Sequence, residues 1–258
     1  MYENRAPWLV RYYEPVSMDY KYFLQALADF LYPPQCLLCR SFLLSYNNRY
    51  FCEGCFQQFA FIGGPVCPQC GRPFESGLGG DHLCGSCLLK QPFFDRARAI
   101  VVYESGVRTA VHLFKYKGKT ALAAPLAEML AGYGDRQLKK QVYTSIVPVP
   151  LHFRRLRQRG YNQSLLLARR LGKAWRIRVT PGLLQRHRRT APQARLPAAE
   201  RRMNVYGAFS CCRSQLDGER ILLVDDVYTS GATVNECARI LKRHGASAVD
   251  VLTLARTK

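Results

Sequence analysis

The sequence predicts an α/β fold in which an open parallel sheet fills the carboxy-terminal two-thirds, behind a small module held together by metal. Three observations predict it. Eight of the 11 cysteines fall between Cys36 and Cys87 as four C-x2-C pairs, a spacing that sets two sulfurs on one metal at a tight turn. From residue 98 onward, short apolar runs alternate with stretches of helical spacing, strand then helix then strand. The run Ile221-Leu222-Leu223-Val224 is apolar throughout and leads into Asp225 and Asp226, as expected of a central parallel strand covered on both faces.

A chain of 258 residues with 48% apolar content can bury a sizeable core, which excludes a disordered chain. No stretch reaches the roughly 20 apolar residues of a bilayer crossing. The opening MYENRAPWLVRYYEP lacks the basic start, apolar run and cleavage site of a secretion signal. The expected location is therefore cytoplasmic, where paired thiols persist on a metal more readily than as structural disulfides. Charge divides the chain in the same way as cysteine. Residues 1 to 90 carry seven basic and seven acidic residues, whereas residues 91 to 258 carry 31 and 11, which accounts for the formal +20. The excess is densest from residue 150 to 202, where 15 basic residues face the single acid Glu200. Such a surface attracts polyanions, nucleic acid among them; the bland alternative is arginines that pair locally or keep the chain soluble.

Residues 1 to 17 contain Pro7 and Pro15 and no sustained period, so they read as an irregular lead, with Met18 a candidate start. Phe23, Leu24, Leu27, Phe30 and Leu31 recur at helical spacing over residues 20 to 32, and Pro33-Pro34 ends that helix. Residues 36 to 87 are rich in turn residues and poor in apolar pattern, so they need a staple to hold a shape. Residues 99 to 103 read as a strand, and Val107, Val111 and Phe114 mark a helical face before Gly118. Leu122, Leu126, Met129 and Leu130 mark another over residues 120 to 133. A short strand over 145 to 149 stops at Pro150, and a helix follows over about 162 to 171. After the strand at 221 to 224, a helix over about 233 to 243 ends at Gly245, which can take the left-handed cap. Residues 248 to 254 form the next strand. The implied domains are a lead and short helix (1–32), a double zinc ribbon (33–91) and a sheet domain (92–258), whose ligand belongs at the carboxyl ends of the strands.

The cysteine pairs are Cys36/Cys39, Cys52/Cys55, Cys67/Cys70 and Cys84/Cys87, with 12, 11 and 13 residues between them. Two pairs complete a tetrahedron, so four predict two structural Zn2+ ions in closed sites. Sequential pairing closes shorter loops than a crossed arrangement. Iron in a four-thiolate site, or disulfides, are the alternatives that metal analysis with a thiol count separates.

The sharpest signal is I-L-L-V-D-D-V-Y-T-S-G-A-T, residues 221 to 233. The strand delivers two carboxylates to the sheet edge, and the chain then turns into a helix through Gly231, which permits a close approach of backbone. The amides of Thr229, Ser230, Gly231, Ala232 and Thr233 can converge on one phosphate, helped by the helix start and by three hydroxyls. A carboxylate aimed at a phosphate would repel it. One sugar width away, Asp225 and Asp226 can accept from two ribose hydroxyls or share them through a divalent cation. The combination points to a 5-phosphorylated ribose; a nucleoside triphosphate loop would carry the Gly-Lys-Ser/Thr ending that is absent here. The alternative is an ordinary strand, turn and helix whose acids serve another purpose.

This segment closely resembles the phosphoribosyl pyrophosphate (PRPP) motif of type I phosphoribosyltransferases. The resemblance implies that Asp225 and Asp226 hold ribose hydroxyls, with Mg2+ accompanying PRPP, and that residues 229 to 233 hold the 5-phosphate. The loop that meets pyrophosphate in such enzymes has its counterpart in Ile146-Val147-Pro148-Val149-Pro150, where Pro148 and Val149 are the candidates to meet the anion and the two prolines, Pro148 and Pro150, either stiffen a cradle or just end a strand. L-H-F-R-R-L-R-Q-R-G-Y-N-Q (151 to 163), R-H-R-R-T-A-P-Q (186 to 193) and R-R-M-N-V-Y-G-A-F (201 to 209) extend the likeness. Together the chain resembles, from about Phe30 to its end, the ComF family, which includes the GntX-like proteins of Gram-negative bacteria. That family is linked to uptake and use of external DNA, and it places a double zinc ribbon before a phosphoribosyltransferase-like domain.

Arg154, Arg155, Arg157 and Arg159 crowd one short segment, and either a helix or an extended chain lets them meet phosphates. Arg157 and Arg159 are the candidates for the diphosphate of PRPP, because a planar guanidinium grips two oxygens at once. Tyr161 and Asn162 either contact a base or pack and cap the next helix. Arg186, Arg188, Arg189, Arg195, Arg201 and Arg202 add a nucleic-acid face. Transfer of phosphoribosyl to a nucleobase would displace pyrophosphate from C1 and requires no protein nucleophile, so Cys237, His244, His112 and His152 read as structural. The other class of function is a non-catalytic, PRPP-responsive adaptor for single-stranded DNA. Expected partners are PRPP, single-stranded DNA or its nucleobase products, and DNA-uptake or recombination proteins.

Overall fold

The computed structural model describes residues 20–43, 49–74, 79–190 and 198–258. They form two compact units, one ending at Gln58 and one running from Phe59 to Lys258. The expected lead over residues 1 to 17, Arg195, and the side chains of Arg201 and Arg202 lie outside the described residues. No helix among the described residues is long and apolar enough to cross a membrane.

The first unit contains α1 (Tyr20–Leu31), the first cysteine group and α2 (Glu53–Gln57). Helical spacing is realised in α1, yet Leu24, Leu27, Phe30 and Leu31 are exposed. The unit is closed by its cysteines. In each cysteine group the first C-x2-C pair makes the same turn: Cys36 N–H donates to Ser41 O and Arg40 N–H to Cys36 O, as Cys67 N–H donates to Arg72 O and Gly71 N–H to Cys67 O. The residue after the second cysteine is left-handed in both, at φ 65 for Arg40 and φ 70 for Gly71. Glycine is obligatory in the second turn, because a Cβ there would stand 2.5 Å from the Ala97 carbonyl oxygen.

That close approach is one of several between the second cysteine group and the sheet. The second cysteine group, with α3 (Gly85–Leu89), belongs to the same unit as the sheet. Ala97 N–H donates to Gln69 O at 2.7 Å, Ile62 N–H to Ile100 O at 2.8 Å, and Val102 N–H to Ala60 O at 2.8 Å. Residues 60 to 71 thereby cover β1 (Arg96–Val102), an edge of the sheet whose backbone would otherwise be open to pairing.

The sheet has four parallel strands in the order β1-β6-β5-β2, with β2 at Ser145–Pro148, β5 at Arg220–Tyr228 and β6 at Ala248–Arg256. Its crossovers carry α4 (Ser105–Tyr116), α5 (Ala123–Gln137), α6 (Phe153–Arg159), α7 (Gln163–Trp175) and α9 (Ala232–Arg243). Ile221, Leu222, Leu223 and Val224 are all fully buried, as a strand with helices on both faces requires. Ile221 and Leu223 pack with Val234, Cys237, Ala238 and Leu241 of α9, while α5 and α7 pack on each other and against the sheet.

The strand runs four residues beyond its apolar stretch. Asp225 pairs with Thr253, Val227 with Ala255 and Tyr228 with Arg256, so the two acids lie inside β5 rather than after its end. Hydrogen bonding to an equally long neighbour overrides the change in polarity. Residues 153 to 159, left open between helix and extended chain, form α6, because the buried His152 caps it, its Nδ1 accepting from Arg154 N–H. The elements not anticipated include α2 and α3 in the cysteine groups, the antiparallel pair β3 (Leu184–Arg186) and β4 (Phe209–Cys211), and α8 (Ala198–Val205) between them.

Candidate functional site

Successive residues of a strand point to opposite faces, so Asp225 and Asp226 do not present themselves side by side. Asp225 continues the parity of Ile221 and Leu223. Its Oδ1 accepts from the Ser164 hydroxyl at 2.8 Å and from Asp226 N–H at 2.9 Å. Asp226 is buried and its Oδ2 lies 2.8 Å from Lys115 Nζ, near the end of α4. Burial, and after it the neighbouring Asp226 charge, pushes the Asp225 carboxyl up to about 7, against the pull of Lys115 and the Ser164 hydroxyl. Burial alone would lower Lys115, but Asp226, and beyond it Asp225, hold its ammonium above the ordinary lysine range. Lys115 and Ser164 are members of the site that sequence reading missed. Neither sits in a motif, and each reaches β5 through the packing of a helix distant in sequence.

Beyond β5, Gly231 takes φ 73 and caps α9. Thr229, Ser230 and Thr233 are half-buried at this turn, and the Ser230 hydroxyl accepts from Ala232 N–H at 3.4 Å. Tyr228 packs against the glycine: a Cβ at Gly231 would stand 2.5 Å from Tyr228 Cζ. Thr257 ties the turn to the chain end, its N–H donating to Tyr228 O at 3.0 Å and its hydroxyl to Thr229 O at 3.2 Å. An α9 of 12 residues directs its N-terminal partial positive charge toward this turn.

Pro148, one of the two residues expected to cradle the anion, ends β2, and Val149 follows it. Both residues are buried, Val149 N–H donates to Val224 O at 3.0 Å, and Val149 O accepts from Asn162 Nδ2 at 3.1 Å. The prolines have no N–H to give, so these residues extend the sheet's bonding instead of presenting donors to an anion. Asn162 caps α7, accepting from Ser164 N–H and Leu165 N–H. Tyr161 donates its hydroxyl to Phe114 O and lays its ring near that of Phe114, so packing and capping account for both residues.

The arginines separate into distinct roles. A cleft of about 510 Å³ is lined by His152, Arg154, Arg155, Gln158, Arg186, Arg189 and Thr190, with no carboxylate among them. Arg155 donates to Thr190 O at 3.4 Å and Arg186 to the Thr190 hydroxyl, while the Arg186 guanidinium lies over the Phe209 ring. Burial, and then the charge of Arg155, lowers Arg186 from the usual arginine range. Arg188 donates to Tyr206 O. The two arginines expected to act as a diphosphate pair do not line this cleft. Arg157 is exposed on α6, and Arg159 bonds Gln163 and lies over Tyr116. Cys237, wholly buried on α9, is pushed well above the ordinary thiol range by burial, which suits a packing role.

The eight cysteines gather in sequential pairs, Cys36/Cys39/Cys52/Cys55 and Cys67/Cys70/Cys84/Cys87, the sulfurs of each group within 4.8 Å of one another. Each group is a donor set able to hold a structural metal ion. Against the upward push of burial, backbone N–H groups of Cys70 and Cys84 bring the Cys67 thiol down to about 7, and hydrogen bonds from Ser41 bring Cys39 to about 6.

Two family models match parts of the chain. Residues 27–88 match the double zinc ribbon domain, and residues 191–258 the phosphoribosyl transferase domain. The chain is 34% identical to DNA utilization protein YhgH of Escherichia coli O6:H1 over 87% of its own length and 98% of that protein. It is 32% identical to competence protein F of Haemophilus influenzae, over 86% and 96% of the two chains. Among solved structures it is similar to a purine phosphoribosyltransferase from Pyrococcus horikoshii, 15% identical with a TM-score of 0.34, over 51% of this chain and 83% of that one.

Proposed function

Because the chain belongs to the ComF family of DNA-utilisation proteins, with a zinc-ribbon-like module before a phosphoribosyltransferase-like parallel sheet, we propose that it binds PRPP at the end of β5. There it acts in the cytoplasm with single-stranded DNA or its nucleobase products, in DNA uptake or utilisation. The observation that carries this reading is the left-handed Gly231, which opens α9 directly after a strand bearing the half-buried Asp225 and the buried Asp226.

In this reading residues 229 to 233 hold the 5-phosphate. Asp225 and Asp226 accept from ribose hydroxyls with the lone pairs that Ser164 and Lys115 leave, since a carboxylate has about four acceptor sites. Lys115 neutralises Asp226, so the phosphate approaches a site with less negative charge. Carboxylate oxygens are the donors Mg2+ prefers, and an ion bound with PRPP would offset diphosphate charge. The diphosphate extends toward the basic cleft, whose Arg155 and Arg186 stabilise negative charge leaving C1. The two cysteine groups hold structural Zn2+.

Transfer of phosphoribosyl to a nucleobase is the reaction such a ligand supports. The basic, carboxylate-free lining of the cleft favours a second reading, a non-catalytic adaptor whose grip on single-stranded DNA responds to PRPP. Calorimetry with PRPP and Mg2+ tests the shared premise: the wild type should bind, and Asp225→Ala with Asp226→Ala should not, while both zincs remain. Equal binding by the double variant would refute the site. Pyrophosphate release across candidate bases then decides between enzyme and adaptor.

A further inference from the structure

The two cysteine groups are not equivalent. All four cysteines of the second are buried, whereas in the first only Cys36 is. The second group also sits on the sheet, with Arg98 Nη1 donating to Pro68 O at 2.9 Å beside the Ala97 to Gln69 bond. A second arginine reaches the same turn from the other direction. Arg256, the last residue of β6 and 5% exposed, donates from Nη1 to Cys70 O at 2.5 Å, and the same nitrogen lies 4.0 Å from Cys70 Sγ. Its guanidinium is also 4.9 Å from the centre of the Tyr228 ring, and Tyr228 is its register partner on β5. Tyr228 in turn fills the space beside Gly231. A continuous line of contacts therefore runs from a metal-ligand turn, through one arginine and one tyrosine, to the turn that opens α9.

We infer that Arg256 is a positioning residue shared by the two sites, so that a metal ion on Cys67, Cys70, Cys84 and Cys87 sets the affinity of the Thr229–Thr233 turn for phosphate. The inference rests on the reading of that turn as a phosphate site. Four thiolates around a divalent ion leave about two net negative charges, and a buried cation beside Cys70 offsets part of them. The same guanidinium is planar, so it can bond the Cys70 carbonyl edge-on while its face covers Tyr228. When the metal leaves, the four cysteines are no longer held to one point, the turn that presents the Cys70 carbonyl is freed, and Arg256 loses the acceptor that fixes its plane. It then relaxes from Cys70, and Tyr228 loses the support that holds it against Gly231. Outer-shell partners of this kind commonly tune both the metal and what lies beyond it.

The test compares wild type, Arg256→Lys, Cys87→Ser and Cys52→Ser as full-length chains. Arg256→Lys keeps the charge but loses the planar fork. Zinc release to a coloured chelator, hydrogen exchange of the amides of residues 229 to 233, and calorimetric binding of PRPP with Mg2+ are the readouts. Exchange of residues 221 to 224, in the core of β5, reports whether the sheet is intact. Arg256→Lys should release one of the two zincs about ten-fold faster. It should also speed exchange over residues 229 to 233 and weaken PRPP by a similar factor, with residues 221 to 224 still protected. Cys87→Ser should reproduce the exchange and binding effects, and Cys52→Ser should not. Unchanged zinc release in Arg256→Lys, faster release with unchanged exchange at the turn, or an equal effect from Cys52→Ser would each overturn the inference. If Arg256→Lys or Cys87→Ser exposes residues 221 to 224, stepwise chelation of wild type supplies the same comparison, and a turn that opens only with the sheet would refute the link. Should wild type fail to bind PRPP while exchange still follows the second metal, the ligand reading falls and the coupling stands.

Discussion

Replacing Gly231 with alanine probes the turn on which the functional reading depends. Its φ of 73 costs a residue with a Cβ about 1 kcal/mol. The larger share is steric. The added methyl would stand 2.5 Å from Tyr228 Cζ and against its hydroxyl, so the ring has to move. Tyr228 is held at its edge by Phe94 and on its face by Arg256, and displacing a packed side chain in this way costs about 1 to 3 kcal/mol. Together these give a loss of about 2 to 4 kcal/mol, a large part of the stability of an ordinary domain. Urea unfolding measures it, with Gly231→Ala made in both wild type and Tyr228→Ala. Without the tyrosine ring only the backbone share should remain, so the cycle should return a coupling of about 1 to 3 kcal/mol. Equal losses in the two backgrounds would show that Tyr228 does not pack on the turn. PRPP affinity should fall with Gly231→Ala in either background, because the φ requirement is unchanged.

Other variants test the groups around β5. The Asp225 carboxyl is raised from 3.8 to about 7, so the folded chain keeps a proton that the unfolded chain has lost. The resulting stability is full below about pH 4 and lost as pH rises through 7, which amounts to about 1.4 kcal/mol between pH 6 and 8. Asp225→Asn should abolish that slope in urea unfolding at the two pH values; an undiminished slope would assign it to another group. Lys115→Met leaves the Asp226 carboxylate buried without its partner and should cost about 3 kcal/mol, most of it recovered when Asp226→Asn is added; a lone loss under about 1 kcal/mol would mean that water already screens the pair. Arg154→Ala, Arg155→Ala and Arg189→Ala combined should reduce the salt slope of single-stranded DNA binding by about 2. An unaltered slope would remove the cleft from the interface.

Local chemistry was legible without any three-dimensional information. Cysteine spacing specified two sequential four-sulfur groups, because a C-x2-C turn and a short loop are geometric facts of the chain. The order of strand, turn and helix at residues 221 to 243 was equally readable, since apolar run, glycine and helical spacing are neighbours in sequence. Contacts made across the fold were not. Where β5 ends is decided by β6, which goes on bonding past the apolar stretch as far as Tyr228. The partners of the two acids are decided by α4 and α7, which bring Lys115 to Asp226 from 111 positions away and Ser164 to Asp225 from 61. Arg155 and Arg186 meet in one cleft although 31 positions separate them, while Arg157, two positions from Arg155, faces solvent. Attachment of the second cysteine group to the sheet was decided the same way, by Gly71 on Ala97 and Arg256 on Cys70. A sequence pattern encodes what a residue can do within a few neighbours, whereas the partner that meets a charge is chosen by which helices pack over the strand that carries it.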